Sequence, residues 1–189
     1  MLARGGAARA VTEIFAPVWV VAGLLLLLGW HEGDVALGGI AALFESIFPF
    51  AYVLSQVRQG RLSDRHVGER AQRLVPLLVA FGSVVVGAVL LVTLHAPRAL
   101  LAGVAAGGVG LLVAAAVNHW WKMSVHAAVA AGSCAILALV FGPVLLLTTP
   151  LIALVGWSRV RLGDHTLAQV VVGAAVGAVV AASVFAALR

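Results

Sequence analysis

The chain has 189 residues, of which 63% are hydrophobic and only 10% are charged, and its mean hydropathy is +1.13. Because about 25% of the residues in a soluble domain are charged, this composition excludes an ordinary soluble protein and predicts an all-α, polytopic transmembrane helical bundle. The net charge of +5 comes from basic residues at segment ends and in one loop. That distribution favours lipid headgroups or an anionic substrate, and not nucleic acid, as partners.

Apolar runs of about 20 residues, the length of a membrane-spanning helix, recur along the whole chain and predict one membrane domain over residues 1–189. We predict seven spans, or six if the break at Gly142 and Pro143 is a kink or a shallow re-entrant hairpin. The runs are roughly 12–30, 35–56, 75–94, 99–117, 124–141, 144–157 and 165–187. Small residues at 103–110 and 173–177 favour close contact between helices.

Three polar segments, 57–74, 118–123 and 158–164, separate these runs, and seven spans put all three on the same side as the N-terminus. Ten of the twelve basic residues lie on that side, and only Arg98 and Arg189 lie on the other. Cytoplasmic loops carry an excess of Lys and Arg. We therefore predict that the polar segments form a site that faces the cytoplasm, in a plasma membrane of the bacterial type.

The second and third polar segments each bring a histidine, a hydroxyl and a cation to the start of a span. One group is Lys122, Ser124 and His126, and the other is Ser158, Arg159 and His165. Ser124 is placed to cap the fifth span, and the free N–H groups at a helix start attract anions. A helix cap with interfacial Lys and Trp side chains would also explain the first group. The repetition on one face is what indicates a phosphate site with a reactive histidine.

The third polar segment resembles the signature of the type 2 phosphatidic acid phosphatase superfamily, which reads Ser-Arg, five residues, His, three residues and Asp. Here Ser158 and Arg159 are followed after five residues by His165, and after three more by Gln169. The second motif of that family, Pro-Ser-Gly-His, is met in part by Ser124 and His126.

The first motif of the family reads Lys, six residues and Arg-Pro. In the first polar segment His66 is followed after six residues by Arg73, and a proline stands two positions late at Pro76. The order of the three motifs and their shared membrane side agree with the family. The resemblance covers roughly residues 58 to 177.

The resemblance implies an enzyme that removes phosphate from a lipid or polyprenyl phosphate or diphosphate, without a cofactor. His165 would attack phosphorus and form a phosphohistidine, and His126 would protonate the leaving oxygen as a general acid. The phosphoryl oxygens would be held by Arg159, Arg73 and Ser124, with Lys122 or His66 supplying the missing cation. The sequence has no Cys/His cluster and no pair of carboxylates on one helix face, so no metal site is predicted.

The family uses its final aspartate to orient the nucleophilic histidine, and Gln169 can accept a hydrogen bond but carries no charge. Asp164 would point about 100° away from His165 on a continuous helix, so it is a poor relay unless the helix begins after it. Asp64 in the first polar segment is the other candidate carboxylate. The site is either a variant hydrolase or a site that has lost catalysis.

Two functions of other classes stay open. A catalytically inactive membrane protein would bind or move phospholipids through the same basic site. A small transporter would use Glu45, which falls in the middle of the second predicted span, where a carboxylate is costly. The structural explanation of Glu45 is a protonated acid that is hydrogen-bonded to a neighbouring helix.

Overall fold

The computed structural model describes residues 5–64, 72 and 74–189, and in these ranges the chain forms helices and no strands. The helices are α1 (Gly6–Ile14), α2 (Pro17–His31), α3 (Val35–Ala42), α4 (Phe48–Arg58), α5 (Leu74–Thr93), α6 (Arg98–Trp120), α7 (Val125–Phe141), α8 (Thr149–Arg161) and α9 (Leu167–Leu188). A π-helical turn, Leu43–Ile47, joins α3 to α4, and a 3-10 helix, Pro143–Thr148, precedes α8. The predicted all-α fold is confirmed.

Six helical segments are long and apolar enough to cross a membrane. They are Gly6–His31, Val35–Arg58, Leu74–Thr93, Arg98–Trp120, Pro143–Arg161 and Leu167–Leu188. The seventh, α7, has 17 residues and is about 25 Å long at 1.5 Å per residue, shorter than the hydrocarbon core. It packs against α2, α8 and α9 and buries much of its surface. The protein is therefore an integral membrane protein with six or seven spans, as predicted.

The break at Gly142 and Pro143 reverses the chain. Gly142 has a φ of +100°, a conformation that glycine adopts at little cost, and α7 ends there. The following 3-10 helix returns along α7, since Cys134 Sγ lies 3.1 Å from Thr148 Oγ1 and 3.6 Å from the carbonyl oxygen of Leu145. The segments before and after the break are antiparallel neighbours, so a kink within one helix is excluded.

The first predicted span, 12–30, lies within the single candidate span Gly6–His31, which is divided into two helices. α1 ends at Ile14, and α2 begins at Pro17, whose fixed φ and missing N–H suit the first position of a helix. α1 is amphipathic, because Thr12 is buried on one face while Glu13 is exposed on the other. The buried face packs against α8.

Small residues allow the close helix contacts that the sequence predicts. A methyl group added at Gly177 of α9 would lie 2.1 Å from the carbonyl oxygen of Ala128 in α7, and one added at Gly173 would lie 2.6 Å from that of Ser124. Both contacts tie α9 to α7 along one line. The start of α7 and the start of α9 are therefore held at the same end of the bundle.

Glu45 lies in the π-helical turn, in the middle of the segment Val35–Arg58. Its side chain rests against Gly107 of α6, where an added methyl group would collide with the carboxyl. The next residue, Ser46, donates a hydrogen bond to the carbonyl of Val18 in α2. Among the described residues Glu45 Oε2 has no hydrogen-bond partner, so this atom does not form the expected bond to a neighbouring helix.

Candidate active site

The second and third polar segments meet at one end of the bundle. Lys122 Nζ donates a hydrogen bond of 2.8 Å to the carbonyl oxygen of Asp164. The backbone N–H of Ser124 donates to the carbonyl oxygen of Gln169 at 3.2 Å. These two segments therefore lie at the same end of the bundle, and the residues of both motifs lie close together.

Ser124 is the N-cap of α7, as its position in the sequence predicts. Its Oγ accepts a hydrogen bond from the N–H of Ala127 at 3.4 Å, and the residue is fully buried. His126 follows in the first turn and is 6% exposed. The N–H of Met123 donates to Asn118 Oδ1 at 2.9 Å, which ties the preceding loop to the end of α6. These bonds fix the position of His126 from both sides of the loop.

Arg159 belongs to the last turn of α8 and is 5% exposed. Its Nη2 lies 3.0 Å from Asp164 Oδ2, while its Nε has no hydrogen-bond partner within the described ranges. α8 ends at Arg161 and α9 begins at Leu167. Asp164 and His165 are therefore in a loop, and Asp164 pairs with Arg159 because no continuous helix constrains its direction.

His165 is oriented by Gln169. Its Nδ1 lies 3.2 Å from Gln169 Oε1, and the same oxygen accepts a hydrogen bond of 3.1 Å from the backbone N–H of Thr166. The hydroxyl of Thr166 accepts in return from the N–H of Gln169, which completes a capping box. A backbone N–H can only donate, so the amide oxygen faces both partners. His165 Nδ1 must then carry the proton, and Nε2 keeps a free lone pair.

The surroundings of His165 keep its imidazole neutral. Burial lowers its pKa below the ordinary value, and the positive charges of Lys122 and Arg159 act in the same direction. The hydrogen bond to Gln169 and the charge of Asp164 raise the pKa, but they do not reverse the shift. At neutral pH the ring is therefore in the form that has a nucleophilic nitrogen.

Comparison with known families agrees with this geometry. Residues 118–189 match the family model of the PAP2 superfamily. Over this segment the chain is similar to the PAP2 superfamily. The predicted relationship to type 2 phosphatidic acid phosphatases is thus confirmed, and the family supports phosphatase activity on phosphate esters. No curated protein and no solved structure matches the chain.

The first polar segment precedes the part that matches the PAP2 superfamily. His66 and Arg73, which we predict to bind phosphate, lie outside the described residues. Asp64 accepts a long hydrogen bond from the hydroxyl of Ser63, 3.5 Å, and the backbone N–H of Ser63 donates to Gln72 Oε1 at 3.1 Å. Within the described ranges no group of three His, Cys, Asp or Glu side chains could hold a metal ion.

Two contacts of the candidate site do not appear among the sequence predictions. The sequence could have predicted the capping box of Thr166 and Gln169, because Thr followed by Gln three positions later is a known signal for a helix start. The hydrogen bond between Thr12 and Ser158, 146 positions apart, has no local signal. It depends on the way in which α1 packs against α8.

Proposed function

We propose that the protein is a membrane phosphatase that hydrolyses a lipid or polyprenyl phosphate or diphosphate through a phosphohistidine intermediate. The observation that carries this proposal is the pair of hydrogen bonds to Gln169 Oε1, from His165 Nδ1 and from Thr166 N–H. They leave Nε2 of the neutral, half-buried imidazole of His165 free. The same loop carries Asp164, which pairs with Arg159. A neutral Nε2 is the atom that attacks phosphorus.

The reaction has two steps. In the first, the lone pair of His165 Nε2 forms the bond to phosphorus while the bond from phosphorus to the alcohol oxygen breaks. His126, in its protonated form, donates a proton to that oxygen as it leaves. In the second step the neutral His126 takes a proton from water, the water oxygen attacks phosphorus, and His165 leaves as a neutral imidazole. Both histidines return to their starting forms.

Positive charge at the site would stabilise the phosphoryl oxygens. Arg159 and Lys122 supply full charges, and the N-terminus of α7 supplies the partial charge of its free N–H groups. Ser124 is fully buried, its Oγ accepts a hydrogen bond from the N–H of Ala127, and its own N–H donates to the carbonyl oxygen of Gln169. We therefore assign its effect on the phosphate to the α7 N-terminus that it caps, and not to direct contact.

A lipid substrate is supported by the aromatic side chains around the site. Trp120 ends α6 and is 77% exposed, and Trp121 and Trp157 are exposed as well. Tryptophan is enriched at the interface between membrane and water, which is also the depth of lipid phosphates. Trp157 stands two positions before Arg159, so the buried cation lies close to that interface.

The test is an assay of phosphate release by the protein in detergent with phosphatidic acid, phosphatidylglycerol phosphate and a polyprenyl diphosphate. The wild type should release phosphate from at least one, and His165→Ala should lower the rate by roughly a thousandfold or more, as for other catalytic nucleophiles. His31→Ala, at the opposite end of the bundle, is the control. Binding without release by the wild type would favour the non-catalytic phospholipid-binding alternative.

A further inference from the structure

Thr12 and Ser158 form a buried hydrogen bond beside the candidate active site. Thr12 Oγ1 lies 3.0 Å from Ser158 Oγ, and the two residues are 3% and 0% exposed. Ser158 directly precedes Arg159 at the end of α8. Thr12 belongs to α1, outside the segment 118–189 that matches the PAP2 superfamily. The bond therefore links a family motif to a helix that the family match does not include.

The direction of this hydrogen bond follows from counting protons. Ser158 Oγ donates to the carbonyl oxygen of Val155 at 2.7 Å. A serine hydroxyl has one proton, so Ser158 Oγ accepts from Thr12, and Thr12 is the donor. Both hydroxyl protons are then used within the protein, and neither is left to bind a substrate. The chain from Thr12 through Ser158 to Val155 ties the last turns of α8 to α1.

α1 also brings charge to the same place. Glu13 follows Thr12 and acts electrostatically on the guanidinium of Arg159. Asp164 Oδ2 lies 3.0 Å from Nη2 of the same guanidinium. Arg159 is thus buried and paired with Asp164, Glu13 favours its charged form, and in the chain it directly follows Ser158, which Thr12 holds. The direction in which its remaining N–H groups point depends on this packing.

We propose that Thr12 is a positioning residue, which holds the Ser158–Arg159 turn so that Arg159 can bind the phosphoryl group. This rests on the proposed function only in the role of Arg159. Loss of the Thr12 hydroxyl leaves a fully buried Ser158 Oγ without its donor, and α8 can then shift relative to α1. A planar guanidinium binds phosphate well in few orientations, so a small shift weakens phosphate binding more than it weakens the fold.

The experiment compares Thr12→Val, which keeps the shape and loses the hydroxyl, with Thr12→Ser, which keeps the hydroxyl. Thr93→Val is the matched control. It removes the hydrogen bond from the Thr93 hydroxyl to the carbonyl oxygen of Leu90, at the end of α5 that lies away from the candidate site. Thr12→Val should raise KM about tenfold, which is about 1.4 kcal/mol, with a smaller change in kcat. Thr12→Ser and Thr93→Val should stay within about twofold of the wild type, inside the spread of neutral substitutions.

A double variant tests whether Thr12 acts through Arg159. In the Arg159→Lys background, Thr12→Val should add little to KM, because the group that it positions has already been replaced. A full further tenfold rise would mean that the two residues act independently and would overturn the proposal. So would equal effects of Thr12→Val and Thr93→Val.

Protection by inorganic phosphate gives a readout that does not need turnover. Phosphate should raise the unfolding temperature of the wild type, and Thr12→Val should need more phosphate for the same rise. If the wild type releases no phosphate from any lipid but this difference holds, the positioning role stands and the proposed function fails. If Thr12→Val binds phosphate like the wild type and is only less stable, Thr12 is merely structural and the proposal is wrong.

Ser158→Ala carries the same test should Thr12→Val fail to fold. It removes the acceptor of the bond and should weaken phosphate protection as well; protection equal to that of the wild type would overturn the proposal. If phosphate does not protect the wild type either, Arg159 does not bind phosphate, and both this inference and the proposed function are wrong.

Discussion

His165 Nδ1 and Gln169 Oε1 are 3.2 Å apart, and the same oxygen caps the start of α9 through the N–H of Thr166. In the signature of the family an aspartate stands at the position of Gln169. The glutamine keeps the geometric part of that role, since it fixes the tautomer and the direction of the ring. It does not supply the negative charge that would stabilise an imidazolium.

Gln169→Leu should lower kcat by roughly a hundredfold, because it removes the acceptor that orients His165, and it should lower stability by about 1 kcal/mol through loss of the cap. Gln169→Asp restores the family residue and its charge, so it should keep or raise kcat. Phosphate release and thermal unfolding measure the two effects. If Gln169→Leu leaves kcat unchanged while Asp164→Asn abolishes activity, Asp164 is the carboxylate that orients His165, and the role of Gln169 is only structural.

Arg159 and Arg161 should differ in their response to the same change. Arg159 is 5% exposed and ion-paired, whereas Arg161 is exposed. Arg159→Lys replaces a planar fork with a point charge and should lower kcat/KM by about a hundredfold, while Arg161→Lys should stay within about twofold. Steady-state kinetics on a lipid phosphate measure both variants. Similar losses from the two would contradict the assignment of Arg159 to the phosphate.

The rate should fall on acidification, because protonation removes the lone pair of His165 Nε2. Burial and nearby cations lower the pKa of His165, so the acid limb of the profile of kcat/KM against pH should lie below the ordinary histidine value of about 6.5. Lys122→Gln removes a cation and should move the limb to higher pH. Asp164→Asn removes an anion and should move it to lower pH. Shifts of the same sign in the two variants would show that another group controls this limb.

The side of the membrane can be tested with single cysteines in a Cys134→Ala background. Ser63 is exposed on the first polar segment, and Glu32 is exposed at the opposite end of the bundle. If the site faces the cytoplasm, an impermeant thiol reagent should label Glu32→Cys in intact cells and Ser63→Cys only in broken ones. The reverse pattern would place the site outside.

Gly177→Ala should destabilise the bundle by about 2 kcal/mol, as overpacking does elsewhere. Its new methyl group would lie 2.1 Å from the carbonyl oxygen of Ala128, so α7 and α9 would have to separate. Gly110→Ala is the control, because no atom lies within 4 Å of the position of its methyl group. Thermal unfolding in detergent compares them. Equal stability of the two variants would show that α9 does not approach α7 this closely.

Several features of this protein are readable in the sequence because they are local. Each apolar run must form a helix, since a backbone in lipid has to satisfy its own hydrogen bonds, and this gives the spans without any knowledge of packing. Ser124 caps α7, and Thr166 and Gln169 form a capping box, over three positions of the chain. The start of α2 at Pro17 is also a local signal, since proline suits the first position of a helix, although the apolar run by itself predicts one unbroken helix there.

The contacts that build the site were decided by the tertiary structure. The sequence does not indicate which residue Asp164 pairs with. Its ion pair with Arg159 requires α8 to end before the loop that carries Asp164. The bond from Thr12 to Ser158 needed α1 to fold against α8, and the reversal at Gly142, which excludes a kink within one helix, needed the 3-10 helix to pack back on α7. Local hydrogen bonds follow from helix geometry alone. Contacts between distant segments depend on how the helices pack, which no short stretch of the sequence specifies.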